Sequence, residues 1–374
     1  MFSHRTELDR APNPFEEARA RAVPRLDLTV SNPSRAALPV PAAEVLRSLG
    51  DPAVADYEAA SFGLPRARET VARAIGAEPE RVVLTASTSE AYGLLFRLLC
   101  DPGDAVLAPT PSYPLFDHLA RFDGVRLAPY ELAFDGEWWP SLPAEAPPDA
   151  RAVLVVSPNN PTGTVFGDEA WSALRRLRLP VIIDEVFADF PLEGPVSDGA
   201  SAGLPLAFVL GGLSKRCGLP QMKLGWIRVE GDPALVAEAL ARLEILADAY
   251  LSVGTPVQHA APGLLAHAAP FQKAVRARTR ANLATARTLV RGTALSIPRV
   301  DGGWYACVRV PGTRSDEAWA LGLLEHGVRV QPGYFYDLAP GEWLVVSLLT
   351  PEPIFAEGFA KLVALVEGSD STSG

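Results

Sequence analysis

Through the middle of the chain, short apolar runs of strand length alternate with longer stretches of helical pattern. Residues 81–85 (RVVLT) read as a strand, and 89–99 as the helix that follows it. Residues 104–108 (DAVLA), 152–157 (AVLVVS), 180–183 (PVII), 207–210 (AFVL) and 224–229 (LGWIRV) supply further strands. Near-continuous Val, Ile and Leu in such runs marks strands buried on both faces, as in a mostly parallel sheet with helices on either side. Residues 233–250 and 270–291 then read as two helices. Beyond them strands at 303–310, 328–331 and 343–348 combine with helices at 315–325 and 353–366 into a second, smaller α/β unit. The pattern divides the chain into a large domain at 46–280 and a small one at 281–366, with 367–374 (EGSDSTSG) too polar and small to pack and read as a flexible tail.

With 374 residues and 48% hydrophobic side chains, the chain is long and apolar enough for both cores. A formal charge of −10 opposes binding to phosphate backbones, so nucleic acid is not an expected partner. Cys100, Cys217 and Cys307 are too few and too scattered for a disulfide framework or a metal site, which suits a reducing compartment. No apolar run approaches the ~20 residues of a membrane span, and residues 1–25 show no signal-peptide pattern. A cytoplasmic protein with no membrane partner is the expectation.

In an open parallel sheet ligands bind beyond the carboxyl ends of the strands. There the first strand leads to Ser87, Thr88 and Ser89, hydroxyls at a helix N-terminus suited to an anion, although Ser87 with Glu90 also makes a capping box. Tyr113 follows the second strand in a proline-stiffened loop, where it offers either an aromatic plate or plain packing. Asn160 stands in the turn SPNNPTGT, at the end of the next strand. Asp184 and Glu185 directly follow a buried run, and a carboxylate there needs a cation, a proton donor or a helix cap. The run LGGLSK closes another strand with Ser214 and Lys215, a lysine placed either to lose its proton and act as a nucleophile or to sit on the surface. Anion cup, aromatic plate, amide, carboxylate and lysine together are what pyridoxal phosphate, an aromatic phosphate ester with a ring nitrogen and an aldehyde, requires.

The motifs PNNPTGT, DEVFADF and GGLSKRCGLPQMKLGW, in that order, make the chain similar to the class I/II aminotransferases of fold type I, relatives of the aspartate and alanine enzymes, over roughly residues 31–359. The resemblance implies an α/β fold: a large domain with a mostly parallel, doubly wound sheet, and a smaller α/β domain on which an N-terminal arm (1–45) packs. It implies pyridoxal phosphate as cofactor and an amino acid and a 2-oxo acid as substrates. Lys215 forms the Schiff base and moves the proton, Asp184 pairs with the ring nitrogen, and Asn160 bonds the ring's 3-oxygen. Tyr113 stacks on the ring; Ser87, Thr88, Ser89 and Lys223 hold the phosphate, with Ser214 beside them. Tyr57 reaches the phosphate of the neighbouring subunit in a homodimer with shared sites. Ser31, Asn32 and Pro33 resemble the loop that covers the substrate.

Three departures from the family pattern touch the ring's 3-oxygen, the phosphate site and the substrate in turn. Phe187 stands where most relatives have tyrosine. Lys223 and Gly212 replace an arginine and a serine of the phosphate site. The arginine that grips the substrate carboxylate has no counterpart near Val345, leaving Arg35, Arg309 and Arg329 as candidates for its work. Transamination is the expected reaction. Decarboxylation or elimination on the same cofactor is the alternative, and a non-catalytic cofactor-binding sensor a more remote one.

Overall fold

The computed structural model describes all residues except 9, 10, 12, 22, 23, 41, 197, 340 and 369–374. Its strands are β1 (Leu26–Asp27), β2 (Val82–Thr85), β3 (Ala105–Thr110), β4 (Arg126–Phe134), β5 (Trp138–Ser141), β6 (Ala150–Val156), β7 (Val181–Asp184), β8 (Leu206–Gly212), β9 (Gly225–Gly231), β10 (Tyr305–Val310), β11 (Val328–Arg329), β12 (Gln331–Pro332) and β13 (Glu342–Ser347). The helices are α1 (Pro14–Arg21), α2 (Ala42–Ser48), α3 (Pro65–Ile75), α4 (Thr88–Leu99), α5 (Leu115–Phe122), α6 (Asp168–Leu177), α7 (Leu213–Arg216), α8 (Pro233–Asp248), α9 (Thr255–Ala266), α10 (Ala268–Leu289), α11 (Asp316–Glu325) and α12 (Glu352–Val366).

β2 to β9 form one eight-stranded sheet in the order β2-β9-β8-β7-β6-β3-β4-β5. The pairs β8–β7, β7–β6, β6–β3 and β3–β4 are parallel. Only β9, against β2 and β8, and β5, against β4, run the other way. The carboxyl ends of β2, β3, β6, β7 and β8 therefore share one edge with the start of β9. Val153, Leu154 and Val155 of β6 and Val181, Ile182 and Ile183 of β7 have no solvent exposure. Alternation sends Leu154 and Ile182 into a core with Leu95 of α4 and Leu243 of α8, and Val153, Val155 and Ile183 into another with Trp171 and Leu174 of α6. Each such aliphatic side chain contributes about 1.5–3 kcal/mol of burial, and both sheet faces are closed by helices, which is why these strands read as unbroken apolar runs.

A third core joins Phe15, Leu26 and Leu28 from the start of the chain to Leu283, Val308, Trp319, Leu344 and Phe359. β10, β13 and β12 form a small sheet, while β1 pairs in parallel with β11.

The sequence pattern names no helix at α3, α5, α6 or α9, and in its strands and its tail it differs from the structure in three places. It predicts no strand between 109 and 152, where the β4–β5 hairpin lies. Those strands close the edge of the sheet, carry Pro129 and Pro140, and are only partly buried, so they lack the periodicity of a central strand. The strand expected at 328–331 is two: Val328–Arg329 pairs with β1, and Gln331–Pro332 turns to β13. The expected tail begins later than 367, because Glu367 closes α12 and its carboxylate accepts the Ala294 N–H at 2.8 Å; 369–374 lie outside the described residues.

Candidate active site

The shared edge of the sheet opens into a cleft of about 390 Å³. Every residue expected to touch a cofactor, with the exception of Tyr57, lines it. Ser87, Thr88 and Ser89 follow β2, Tyr113 follows β3, Asn160 follows β6, and Asp184 ends β7 with Phe187 just beyond. Ser214 and Lys215 follow β8, and Lys223 precedes β9.

At the anion end, Ser87 is the N-cap of α4 and accepts the Glu90 N–H at 3.1 Å, leaving its hydroxyl proton free to donate. The Glu90 carboxylate turns back to the Ala86 N–H at 2.5 Å and takes a hydrogen bond from the Ser252 hydroxyl at 2.8 Å. The cap and the anion site thus coexist at one helix N-terminus, whose partial positive charge favours a phosphate. Gly225 lets β9 pass against this cup, since a Cβ there would stand 3.1 Å from the Ser87 carbonyl carbon and from Thr85 Oγ1.

The Asn160 turn is stiff for reasons visible at Asn159. The Asn159 N–H and carbonyl bond Thr164 and Gly163, at 2.8 and 2.9 Å. Its side-chain amide donates to Ser112 at 3.1 Å and accepts from the Thr162 hydroxyl at 3.0 Å. Gly163 adopts φ +76°, and a Cβ there would meet Val300 at 2.6 Å. Asn160 itself is left with a buried Oδ1 that has no partner. An amide leaves such an end unmet at about 1–3 kcal/mol unless a ligand completes it, and O and N of the amide are interchangeable in placement.

Across the cleft, Asp184 accepts the Tyr92 hydroxyl at 2.6 Å on Oδ2 and the Val186 N–H at 3.0 Å on Oδ1. Burial pushes its carboxyl above the ordinary carboxylate range, opposed by Tyr92, by Val186 and by the charge of Lys215. Lys215 is shifted the other way: burial lowers its ammonium below the usual lysine value, and Asp184 opposes that. Its Nζ lies 5.4 Å from the Trp304 ring centre and 5.8 Å from that of Phe187, an apolar setting that disfavours the charged amine.

These features fit pyridoxal phosphate: a hydroxyl-rich helix terminus for the phosphate, an unmet amide for a ring substituent, a buried carboxylate for a protonated ring nitrogen, and an amine whose charge is disfavoured. Tyr92, Tyr305 and Ser31 also line the cleft, and the residue reading singles out neither tyrosine. Tyr92 follows Ser89 by three residues on α4, so a helical wheel continued from the anion cup would have found it. Tyr305 offers no comparable signal.

The residues expected at the substrate are placed differently. The Asn32 side chain caps a short turn by accepting the Ser34 N–H at 3.1 Å. Arg35 is exposed and, like Asn32, is not among the lining residues. Arg309 lies over Phe134 and Trp343, and Arg329 pairs with Asp27. Among the described residues the cations lining the cleft are Lys215 and Lys223. Tyr57, 75% exposed, borders a separate hollow with Tyr250. Also among the described residues, no group of three or more His, Cys, Asp or Glu could hold a metal, and no helix is long and apolar enough to cross a membrane.

Comparison with known proteins agrees with this geometry. Glutamate-pyruvate aminotransferase AlaA of Haemophilus influenzae is 28% identical over 253 residues, 63% of this chain and 62% of that protein. Valine–pyruvate aminotransferase of Mycobacterium tuberculosis is 29% identical over 328 residues, 81% of each. The chain thus spans less than two thirds of the first of these relatives. Tyrosine aminotransferase from Leishmania infantum superposes with a TM-score of 0.84 over 98% of both chains at 19% identity. Alanine aminotransferase from Pyrococcus furiosus does so with 0.83 over 95% of both at 23%; at such identities the likeness establishes the fold. The family model for aminotransferase class I and II matches residues 26–354. Members of that family use pyridoxal phosphate, and on a match of this extent the chain belongs to the class I and II aminotransferases.

Proposed function

We propose that this chain is a pyridoxal-phosphate-dependent aminotransferase that moves an amino group between an amino acid and a 2-oxo acid. The observation that carries the reading is the pairing, in one cleft, of a half-buried lysine whose charge is disfavoured with a buried carboxylate. Bound there, the cofactor supplies an electron sink that stabilises negative charge on the carbon bearing the amine. Lys215 holds the cofactor through its amine and, at Nζ, takes up and returns the proton of the substrate's α-carbon. Asp184 would keep the ring nitrogen charged, Asn160 would meet the ring's 3-oxygen and Tyr113 would cover the ring face, while Phe187 leaves that oxygen without a phenol donor. Ser87, Thr88, Ser89, Ser214 and Lys223 hold the phosphate end.

The same reading includes a large domain at 46–280, a small one at 281–366 and an arm at 1–45, supported by the separate cores. It includes the loop with Asn32 and Arg35 as a substrate cover, supported by Ser31 at the cleft wall. It also includes a cytoplasmic homodimer in which Tyr57 serves the partner's site. The large side chains that Tyr57, Ile245 and Tyr250 leave in solvent support that assembly.

Borohydride treatment of the cofactor-loaded protein should fix the label on the peptide containing Lys215, and Lys215→Ala should abolish it. A label on another lysine overturns the site. S-alkyl-thiohydroximate lyase SUR1 of Arabidopsis thaliana, 31% identical over 202 residues, favours elimination as the second reading. Incubation with an amino donor and a 2-oxo acid separates the two: transfer yields a new amino acid, and lysis a cleaved product.

A further inference from the structure

The Tyr92–Asp184 contact has no part in the roles assigned above. Tyr92 lies in the interior of α4, 2% exposed, and its hydroxyl donates to Asp184 Oδ2 at 2.6 Å. The other carboxylate oxygen is met by the Val186 N–H at 3.0 Å, so the carboxylate is gripped at both oxygens and its plane cannot turn. The tyrosine ring is itself held: Phe116 meets it edge-on at 5.1 Å between ring centres, and Phe96 lies 6.1 Å away.

Helix geometry gives this contact its meaning. Ser89 and Tyr92 are three residues apart, and Thr88 and Tyr92 four, so they share a face of α4. One rigid element therefore carries the hydroxyls of the anion cup and the group that fixes the carboxylate at the other end of the ligand. We propose that Tyr92 is a positioning residue, which sets the orientation of Asp184 and its distance from the phosphate cup so that both ends of the cofactor are gripped in register. This rests on the reading of the cleft as a pyridoxal-phosphate site.

The chemistry points the same way. Four titratable groups face or adjoin Asp184: Tyr92 from α4, Lys215 from α7, Tyr113 from the loop after β3, and its neighbour Glu185. Tyr113 and Glu185 bring no positive charge. Of the influences that keep the Asp184 carboxyl from taking up a proton, the Tyr92 hydrogen bond is the largest, ahead of the Val186 N–H and the charge of Lys215. A phenylalanine at 92 would preserve the ring packing and leave Oδ2 buried without a donor. The acid would then hold its proton more tightly and partner a cationic nitrogen less well.

The test is Tyr92→Phe, read first without cofactor. Titration of the ¹³C-labelled Asp184 carboxyl by NMR should show its midpoint rise by about one pH unit, a tenfold change in proton affinity. In the loaded protein, ¹⁵N-labelled pyridoxal phosphate should show a smaller protonated fraction of the ring nitrogen at neutral pH, and the Kd from equilibrium dialysis should rise about tenfold. Phe116→Leu removes a ring contact and keeps the hydroxyl, so it should leave the Asp184 midpoint in place. An unchanged midpoint in Tyr92→Phe, or an equal shift in Phe116→Leu, overturns the proposal. The cofactor reading fails separately: if the parent protein binds no pyridoxal phosphate, that reading falls, while the cofactor-free titration still tests what Tyr92 does to Asp184.

Discussion

Glu185, the residue after Asp184, should give the protein a measurable pH dependence of stability. It is half-buried, is not among the cleft-lining residues, and accepts the Gly199 N–H on Oε1 at 2.6 Å. Burial pushes its carboxyl from an ordinary value of 4.5 up to about 8; Gly199 and Arg228 oppose the rise, and the negative charges of Asp198 and Asp184 reinforce it. Because the folded value exceeds the unfolded one, the native chain keeps a proton that the unfolded chain releases. Stability is intact below about pH 4.5 and falls as pH rises towards 8. The full gap corresponds to about 5 kcal/mol, of which about 3 kcal/mol is lost by pH 7 and only about 1.4 by pH 5.5. Glu185→Gln keeps an oxygen for the Gly199 N–H and removes the ionisation. Its melting temperature should match the parent's near pH 4.5 and exceed it by roughly 4 °C at pH 7, given an unfolding entropy of about 0.8 kcal/mol/K for a chain of this length. Calorimetric scans at four or five pH values between 4.5 and 8.5 provide the comparison. Parallel curves for the two proteins would refute the argument, because the slope would then belong to other groups.

Two further changes probe the proposed cofactor contacts. Phe187 packs on Trp304 at 5.3 Å beneath Lys215, and Phe187→Tyr would place a phenol donor at the ring's 3-oxygen. The midpoint of the pH-dependent visible band of the loaded protein should move down, and an upward or absent shift would show that position 187 does not face that oxygen. Lys223 holds a left-handed backbone (φ +52°) at the cleft rim; Lys223→Ala should lose cofactor faster on dialysis, whereas Lys223→Arg should retain it. Equal retention in the alanine variant would make Lys223 a solvated rim residue.

The expected residues that line the cleft were legible because each sits by a strand end, where a break in an apolar run exposes the position along the chain. Asp184 after VII and Lys215 after FVLGG are visible in that way without knowing which strands are neighbours. Tyr92 is different. Its partner is 92 residues away and meets it only because β7 lies inside the sheet opposite α4, a consequence of strand order that local periodicity does not encode. The β4–β5 hairpin escaped because an edge strand buries too little to show a period. Arg35 shows the limit of matching by loop position: the segment reaches the cleft at Ser31, but its short turn leaves the guanidinium exposed four residues later.

The reversal of β9 carries a consequence for engineering. Because β9 runs against β8, the connection between them leaves and re-enters at the same edge, bringing Lys215 and Lys223 to the cleft from a single loop. Among the described residues that loop is the whole source of positive charge on the cleft wall. A graft of 213–224 would transplant both lysines of the cleft wall in one piece. A deletion within it would disturb both amines together, whereas a substitution at Lys223 changes one of them alone.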